Sequence, residues 1–377
     1  MKFLLFNLIK IFKEDVVSSG AFNYLKSGFR LKPTSFYARP MWIKKLENDN
    51  CNGRPLFQTF FDLIESFLRR MNNNINQNMP YFSFNIFDRY THDFLTVRES
   101  IDARFKKLLE TFEGLNFFDN TLLIVHSDHG NRFKAYSAYQ PSGRMERKYP
   151  FLSMRLPKKL WNTSYYYNAK QNERKLIGAY DIYQTLRHFK LMNTQFEKEL
   201  DRSQFSVNDK YTRYSRGISL FERIPVNRSC EDALVPHQFC LCFEENAMSI
   251  LEFEKERNMT VSNVTKFILI FVNNLIKNVT DKCKEFQFDK VNEIRRYNID
   301  SRFAQYKFII LLQPGDALFE VLISVDKIKA FNDKNLLKVL GNVVRLNKYG
   351  HQSFCINDKV LERFCYCKNF KSEDNFV

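Results

Sequence analysis

The feature that most constrains the fold of this chain is an unbroken apolar run that ends in a polar cluster. Leu122–Val125 is followed directly by the sequence HSDHG, residues 126–130. A short apolar run without polar alternation is typical of a strand buried on both faces, as in parallel sheets. In open α/β sheets the functional groups collect beyond the carboxyl ends of strands, where Asp128 and His129 stand. A carboxylate beside an imidazole predicts a divalent-metal site or an acid/base pair; a polar turn is the alternative.

A second strand with the same kind of ending lies upstream. Tyr81–Phe87 is followed by Asp88 and then by His92 and Asp93. A strongly amphipathic helix over Leu95–Leu115 leads from this strand to the one before Asp128. Strand, helix and strand of this kind form a βαβ unit, so we predict that the two strands are parallel and that their polar ends share one sheet edge.

Other segments continue the α/β pattern. We predict strands over residues 3–12 and Tyr149–Leu156, and helices from Pro55 to Leu68 and over Ala179–Phe189. The composition changes beyond residue 225, where a helix is expected over Val261–Lys284 and strands over Phe308–Leu312, Phe319–Val325 and Leu336–Leu346. The chain therefore divides into a domain over residues 1–225 and a smaller, cysteine-containing α+β unit over residues 226–377.

The net charge of +16 is spread along the chain, and no nucleic-acid-binding motif accompanies it. We therefore expect no nucleic-acid partner and assign the charge to solubility or to attraction of anions. One basic segment, residues 131–149, contains Arg132, Lys134, Arg144, Arg147 and Lys148. As a loop at the predicted sheet edge it suits an anionic small molecule or a glycan ester, and a solvated loop is the alternative.

Cysteines and glycosylation acceptors point to an oxidising, secretory environment. Seven of the eight cysteines lie between Cys230 and Cys367. The five N-x-[ST] acceptors are Asn162, Asn227, Asn258, Asn263 and Asn278. Together they favour an extracellular, disulfide-bonded glycoprotein. The N-terminal apolar run is a poor signal peptide, and no run is long enough to be a transmembrane helix.

The cysteines contain an internal repeat. The pattern Cys-x9-Cys-x-Cys occurs twice, at Cys230, Cys240 and Cys242 and again at Cys355, Cys365 and Cys367. Three cysteines cannot all pair among themselves, and neighbours one residue apart do not easily form a disulfide. If all are oxidised, at least one bond leaves each triplet, to the other triplet or to Cys283. A zinc site that includes His237 is the alternative.

A series of motifs in this order resembles the DUF229 family, whose members are related to sulfatases and to the alkaline-phosphatase superfamily. The motifs are Glu14-Asp15, Phe22-Asn23-Tyr24, Gly28-Phe29, Pro33-Thr34-x-x-Tyr37-x-Arg39-Pro40, Thr91-His92-Asp93, Ser127-Asp128-His129-Gly130-x-Arg132, Pro150-Phe151, Asp181-x-x-x-Thr185-Leu186, Gly217-x-Ser219-Leu220-Phe221, Arg228-x-Cys230, Val343-x-Arg345-x-Asn347-x-Tyr349-Gly350 and Cys365-x-Cys367. The resemblance covers nearly the whole chain.

The resemblance implies a three-layer α/β sandwich around a mostly parallel sheet, and a superfamily that cleaves phosphate or sulfate esters. In such sites one or two divalent metals, here zinc, calcium or manganese, stabilise the charge on the transferring group. Asp128 and His129 match the superfamily's Asp-His metal ligands. His92 matches a family position with a metal or catalytic role, and Asp88 has the D-x-x-x-H spacing of a second metal site.

The chain also departs from the family pattern. The family segments recognisable here begin downstream of the nucleophile, so Met1 is expected to fall inside the catalytic domain. Ser35 and Phe36 stand where the family usually has an Asp-His pair. We therefore expect a metal-dependent ester hydrolase by ancestry that is impaired or inactive. A non-catalytic secreted glycoprotein and an anion- or glycan-binding module are the alternatives.

Overall fold

The protein is described by a computed structural model in which the chain forms two compact units. The first comprises Met1–Ile124 and Ser153–Lys159, and the second Val125–Leu152 and Leu160–Val377. The structure describes residues 9–16, 20–23, 27–45, 50–51, 54–72, 80–91, 98–130, 136, 140–192, 217–298, 302–328, 336–347 and 349–370.

The first unit contains a small parallel sheet. Its strands are β1 (Ile9–Glu14), β2 (Phe36–Tyr37) and β5 (Tyr81–Ile86), in the order β2-β1-β5. β1 runs parallel to β5, with Ile9 opposite Tyr81 and Glu14 opposite Ile86. Two short strands, β3 (Asn50–Cys51) and β4 (Arg54–Pro55), form a separate antiparallel pair.

Three helices build the apolar core of this unit: α1 (Arg39–Lys45), α2 (Leu56–Asn72) and α3 (Arg98–Gly114). Apolar residues recur in α2 at helical spacing and so share one face. Phe60, Ile64 and Phe67 of that face are buried in one cluster with Trp42 of α1 and Leu108 of α3. The helix predicted after Pro55 is confirmed.

The two strands predicted to share one sheet edge lie in different sheets of the described structure. Strand β6 (Leu123–His126) pairs with β7 (Leu152–Arg155), whereas the parallel neighbour of β5 is β1. The parallel βαβ unit is therefore β1-α2-β5. An apolar strand pattern carries no information about which other strand it pairs with, so the sequence alone assigned β5 and β6 to one βαβ unit.

The second unit contains a five-stranded antiparallel sheet in the order β12-β11-β10-β9-β8. The strands are β8 (Glu245–Met248), β9 (Gln287–Tyr297), β10 (Phe303–Gln313), β11 (Ala317–Asp326) and β12 (Leu337–Arg345). The helices of this unit are α4 (Pro141–Lys148), α5 (Ser164–Asn172), α6 (Ala179–Met192), α7 (Ile250–Arg257) and α8 (Val261–Leu275). The strands predicted at 308–312, 319–325 and 336–346 are confirmed.

The two faces of this sheet differ because side chains alternate along each strand. Phe308, Ile310 and Phe319 point into an apolar cluster that also contains Ile268 and Val272 of α8, and all five side chains have no exposed surface. The residues in between include charged side chains such as Lys307 and Glu320, which are 3% exposed. One face of the sheet therefore packs against an apolar core, and the other contains buried charged side chains.

The structure shows the mixed α/β class that the sequence predicts, with a small parallel sheet and a larger antiparallel one. No helix in the described part of the chain is both long enough and apolar enough to cross a membrane.

Candidate functional site

Asp128 and His129 lie in a tight loop directly after β6. The side chain of Asp128 is 83% exposed and that of His129 is 30% exposed. The backbone N–H of His129 donates to Asp128 Oδ1 at 2.9 Å. The other oxygen, Oδ2, lies 3.6 Å from His129 Nε2. One carboxylate oxygen and one imidazole nitrogen therefore lie side by side at the protein surface.

The carbonyl group of Gly130 fixes the orientation of the His129 ring. Nδ1 lies 2.7 Å from that carbonyl oxygen. Because a carbonyl oxygen only accepts hydrogen bonds, Nδ1 carries the proton, and the neutral ring keeps its lone pair on Nε2. Metal-binding histidines are usually held through their second nitrogen in this way. Two ligands of a tetrahedral ion stand about 3.4 Å apart, close to the observed 3.6 Å.

Backbone contacts hold this loop on both sides. Ser127 N–H donates to the carbonyl oxygen of Phe151 at 2.9 Å, and Ser127 Oγ accepts from Phe151 N–H at 2.7 Å. Gly130 N–H donates to the carbonyl oxygen of Arg147 in α4 at 3.1 Å. A Cβ atom at position 130 would lie 2.4 Å from the carbonyl oxygen of Glu146. Only glycine permits this close approach of the loop to α4.

α4 is anchored in turn by three buried cations. They pair with glutamates of the antiparallel sheet: Arg144 with Glu293, Arg147 with Glu320 and Lys148 with Glu245. The expectation that these three side chains lie in a loop is therefore wrong, because they belong to a helix and pair with carboxylates of the sheet. Arg132 and Lys134 lie outside the described residues.

Among the glutamates that pair with α4, Glu245 has the most strongly shifted pKa. These glutamates and their cationic partners form a charged layer. Glu245 Oε1 accepts from the Tyr297 hydroxyl at 2.7 Å and lies 3.3 Å from Lys148 Nζ, and its Oε2 pairs with Lys307. Burial alone would raise the pKa of Glu245, but the two ammonium groups and the hydroxyl hold it at about 2. Burial lowers the pKa of Lys307, and Glu320 and Glu245 oppose that shift without cancelling it. The ionised Glu245 thus stabilises the layer that anchors α4.

Asp88 lies in the first unit, just beyond β5. Its backbone N–H and that of Arg89 donate to the two carboxylate oxygens of Asp15 at 2.8 and 3.2 Å. Asp15 directly follows β1 and is 3% exposed. Burial raises the pKa of Asp15 to about 7 even though both backbone hydrogen bonds favour the ionised form. His92 lies outside the described residues, and Asp128 and His129 belong to the other unit.

Asp15 is a candidate functional residue that sequence reasoning did not single out. In the sequence, Glu14-Asp15 was noted only as one of the motifs that resemble the DUF229 family. The strand was predicted to end at residue 12, whereas β1 continues to Glu14. Functional groups collect beyond the carboxyl ends of strands, which is why Asp88 and Asp128 were candidates. Because β1 ends at Glu14, Asp15 is the first residue beyond a parallel strand and meets the same criterion.

Two family motifs have a structural role. Asp181 and Thr185 of α6 have no exposed surface. Thr185 Oγ1 donates to the carbonyl oxygen of Asp181 at 2.7 Å and accepts from Leu220 N–H at 2.8 Å. Asp181 Oδ1 accepts from Ile218 N–H at 2.7 Å. The D-x-x-x-T-L motif therefore fastens the segment containing Ser219 and Leu220 to α6.

The cysteines of the second unit form three disulfides: Cys230–Cys240, Cys283–Cys365 and Cys355–Cys367. One bond leaves the second triplet for Cys283, as predicted, whereas no bond leaves the first triplet, whose Cys242 is not oxidised. The alternative, a zinc site formed by the two Cys-x-Cys pairs with His237, competes with these bonds, because Cys240, Cys365 and Cys367 are each in a disulfide. Within the described residues, groups of three metal-type ligands contain cysteines alone, so the Asp128–His129 pair has no third such ligand there.

The sequence model of one family, described as "Protein of unknown function (DUF229)", matches residues 9–292 of the chain. No curated protein and no solved structure gives a significant match.

Proposed function

The chain belongs to the DUF229 family, and we propose that its Asp128–His129 pair binds a divalent metal ion at a site inherited from an ester hydrolase. The observation that carries the proposal is the hydrogen bond from His129 Nδ1 to the Gly130 carbonyl oxygen, which leaves Nε2 as a ligand beside Asp128 Oδ2. Zinc and manganese suit a nitrogen and oxygen pair better than calcium, which prefers oxygen ligands throughout.

The proposed ancestry is that of the sulfatase-like, alkaline-phosphatase superfamily. A bound metal in such sites stabilises negative charge on a phosphate or sulfate ester. The parallel β1-α2-β5 unit supports the expectation of a three-layer sandwich around a mostly parallel sheet. Ser35 and Phe36, which replace the family's Asp-His pair, support impaired or absent turnover. The division at residue 225 stays a prediction.

A secreted, non-catalytic glycoprotein is the second candidate. Three disulfides within the described residues are typical of proteins from oxidising compartments. In this candidate, the protein keeps the fold and the two metal ligands, Asp128 and His129, but no longer hydrolyses esters. The two candidates share the ligands and differ in turnover, so one set of measurements separates them.

Metal binding tests the shared part of the proposal. Calorimetric titration of the chelator-treated full chain with Zn²⁺ or Mn²⁺ should show a site whose affinity falls about tenfold or more in Asp128→Ala and in His129→Ala. His126→Ala is the matched control, because His126 is an exposed histidine at the end of the same strand. Affinities in Asp128→Ala and His129→Ala that equal the wild-type value would overturn the proposal.

Turnover separates the two candidates. The metal-loaded chain should be assayed with aryl phosphate, aryl phosphodiester and aryl sulfate esters. Hydrolysis that Asp128→Ala abolishes and His126→Ala retains identifies an active hydrolase. Metal binding without hydrolysis of any of the three identifies the non-catalytic form.

A further inference from the structure

The two cysteine triplets of the second unit share a local structure as well as a spacing. A single 3-10 turn precedes the middle cysteine in each: His237–Phe239 before Cys240 and Glu362–Phe364 before Cys365. Both middle cysteines have extended backbones with ψ 132°, and their exposed fractions are 1% and 0%. The sequence repeat is therefore also a structural repeat.

The triplets differ in which cysteines are joined. In the first, the first and middle cysteines form the disulfide Cys230–Cys240. In the second, the first and last form the disulfide Cys355–Cys367. In each triplet, the two cysteines that correspond to the bonded pair of the other triplet lie close together without a bond. Cys230 Sγ lies 3.4 Å from Cys242 Sγ, and Cys355 Sγ lies 3.8 Å from Cys365 Sγ. The same spacing thus accommodates two pairings.

A fourth cysteine explains the pairing of the second triplet. Cys283 forms a disulfide with the middle cysteine, Cys365, and so leaves the first and last to pair. In the described part of the chain, the first triplet is a cluster of three cysteines within 4.8 Å of one another, without such a fourth member. Its last cysteine, Cys242, is consequently a free, exposed thiol in contact with a disulfide.

We propose that Cys230, Cys240 and Cys242 form an internal thiol–disulfide exchange site. The Cys242 thiolate attacks Sγ of Cys230, the Cys230–Cys242 bond forms, and the Cys230–Cys240 bond breaks. Its electron pair leaves on Cys240 Sγ, which takes up the proton that Cys242 gave up. The number of disulfides is unchanged, so the step needs no external oxidant or reductant. The attacking sulfur already lies 3.4 Å from Cys230 Sγ.

Exchange moves the free thiol between two environments. With Cys230–Cys240 joined, the thiol is on exposed Cys242, where oxidants and disulfides of other molecules reach it. With Cys230–Cys242 joined, the thiol is on Cys240, whose side chain is 1% exposed. Thiol reactivity depends on access as well as on ionisation. The site therefore switches the chain between a form that offers a reactive thiol and a form that hides it.

Disulfide mapping of the native full chain tests the proposal. After an acid quench and alkylation under denaturing conditions, we expect two forms: Cys230–Cys240 with alkylated Cys242, and Cys230–Cys242 with alkylated Cys240. They should interconvert faster at alkaline than at acid pH, because the thiolate attacks. Alkylating Cys242 in the native chain should trap the first form. The Cys355–Cys367 and Cys283–Cys365 linkages in the same digest are the internal control and should each occur alone.

Variants provide a second readout. Cys240→Ser should contain the Cys230–Cys242 disulfide in full yield, and Cys242→Ser should keep Cys230–Cys240. Wild-type chain that contains only Cys230–Cys240 at every pH would overturn the proposal. So would stoichiometric zinc bound to the triplet, or Cys242 joined to a cysteine outside it. The trapping experiment uses unmutated protein, so a variant that fails to fold does not prevent the decision.

Discussion

Arg228 and Asp181 form a two-pronged ion pair inside the second unit. Nη1 lies 2.8 Å from Oδ2 and Nη2 lies 2.9 Å from Oδ1. The side chains are 3% and 0% exposed. Asp181 Oδ2 also accepts from Gly178 N–H at 2.7 Å. The pair ties the first turn of α6 to the segment that leads into Cys230.

Removing the cation from this pair should be strongly destabilising. Arg228→Met leaves the Asp181 carboxylate buried without its counter-charge, and we expect the free energy of unfolding to fall by about 3–5 kcal/mol. Urea denaturation followed by circular dichroism measures the change. Arg223→Met is the control, because Arg223 is exposed and lies five residues earlier in the same segment. Equal midpoints for the two variants would contradict the structural role of the pair.

The pKa of Glu245 predicts acid sensitivity of the second unit. The folded-state value of about 2 lies below the ordinary 4.5, so the unfolded chain takes up this proton first as the pH falls. The contribution of Glu245 to the free energy of unfolding is therefore complete above pH 4.5 and is lost as the pH falls from 4.5 to about 2. The difference between the two pKa values corresponds to a stabilisation of the folded state by about 3 kcal/mol.

Urea midpoints measured across this pH range test the assignment. Glu245→Gln should have a flatter curve of stability against pH than the wild type, since the substituted amide does not titrate. Glu244→Gln is the neighbouring control, because Glu244 is exposed and should leave the curve unchanged. Parallel curves for Glu245→Gln and the wild type would rule out Glu245 as the titrating group.

Local patterns in the sequence were enough to predict most elements. α2, α3 and α8 show apolar residues at helical spacing, and β10 and β11 are long runs of β-branched and aromatic residues. Such patterns depend on neighbours within a few positions and need no tertiary information. Strand partners are non-local, which is why β5 and β6 were assigned to one sheet although they lie in two.

Half of the candidate site was predictable for the same reason. That Asp128 and His129 follow a strand is local information. The buried cations on α4 were not predictable, because Arg144 and Arg147 find their partners 149 and 173 positions away. A short polar segment with distant carboxylate partners has the same appearance in a sequence as a solvated loop.

Exposure predicts which glycosylation acceptors are used when the chain passes through a secretory pathway. Asn162, Asn227, Asn258 and Asn278 are exposed. Asn263 is half-buried in α8, and Thr265 of its acceptor triplet is 3% exposed. We expect glycans on the four exposed asparagines, because a glycan must project into water.

Enzymatic release in heavy-oxygen water followed by peptide mass spectrometry should mark these four positions. Asn263→Gln is the matched control and should leave the glycoprotein mass unchanged apart from the substitution. Full occupancy of Asn263 would show that its surroundings are more open than they are in this fold.

The contact between Gly130 and α4 predicts that the loop of Asp128 and His129, the proposed metal site, tolerates no side chain at position 130. In Gly130→Ala the new Cβ would lie 2.4 Å from the carbonyl oxygen of Glu146 and 2.9 Å from Arg147 Cα, and these backbone atoms cannot rotate away. The loop has to shift, so we expect a loss of about 1–3 kcal/mol in unfolding free energy and weaker Zn²⁺ binding. Gly114→Ala is the control, because its Cβ meets no atom within 4 Å at the end of α3. That variant should be neutral or more stable by up to about 1 kcal/mol. Urea midpoints with and without Zn²⁺ measure both effects, and equal behaviour of the two alanine variants would show that the loop does not pack against α4.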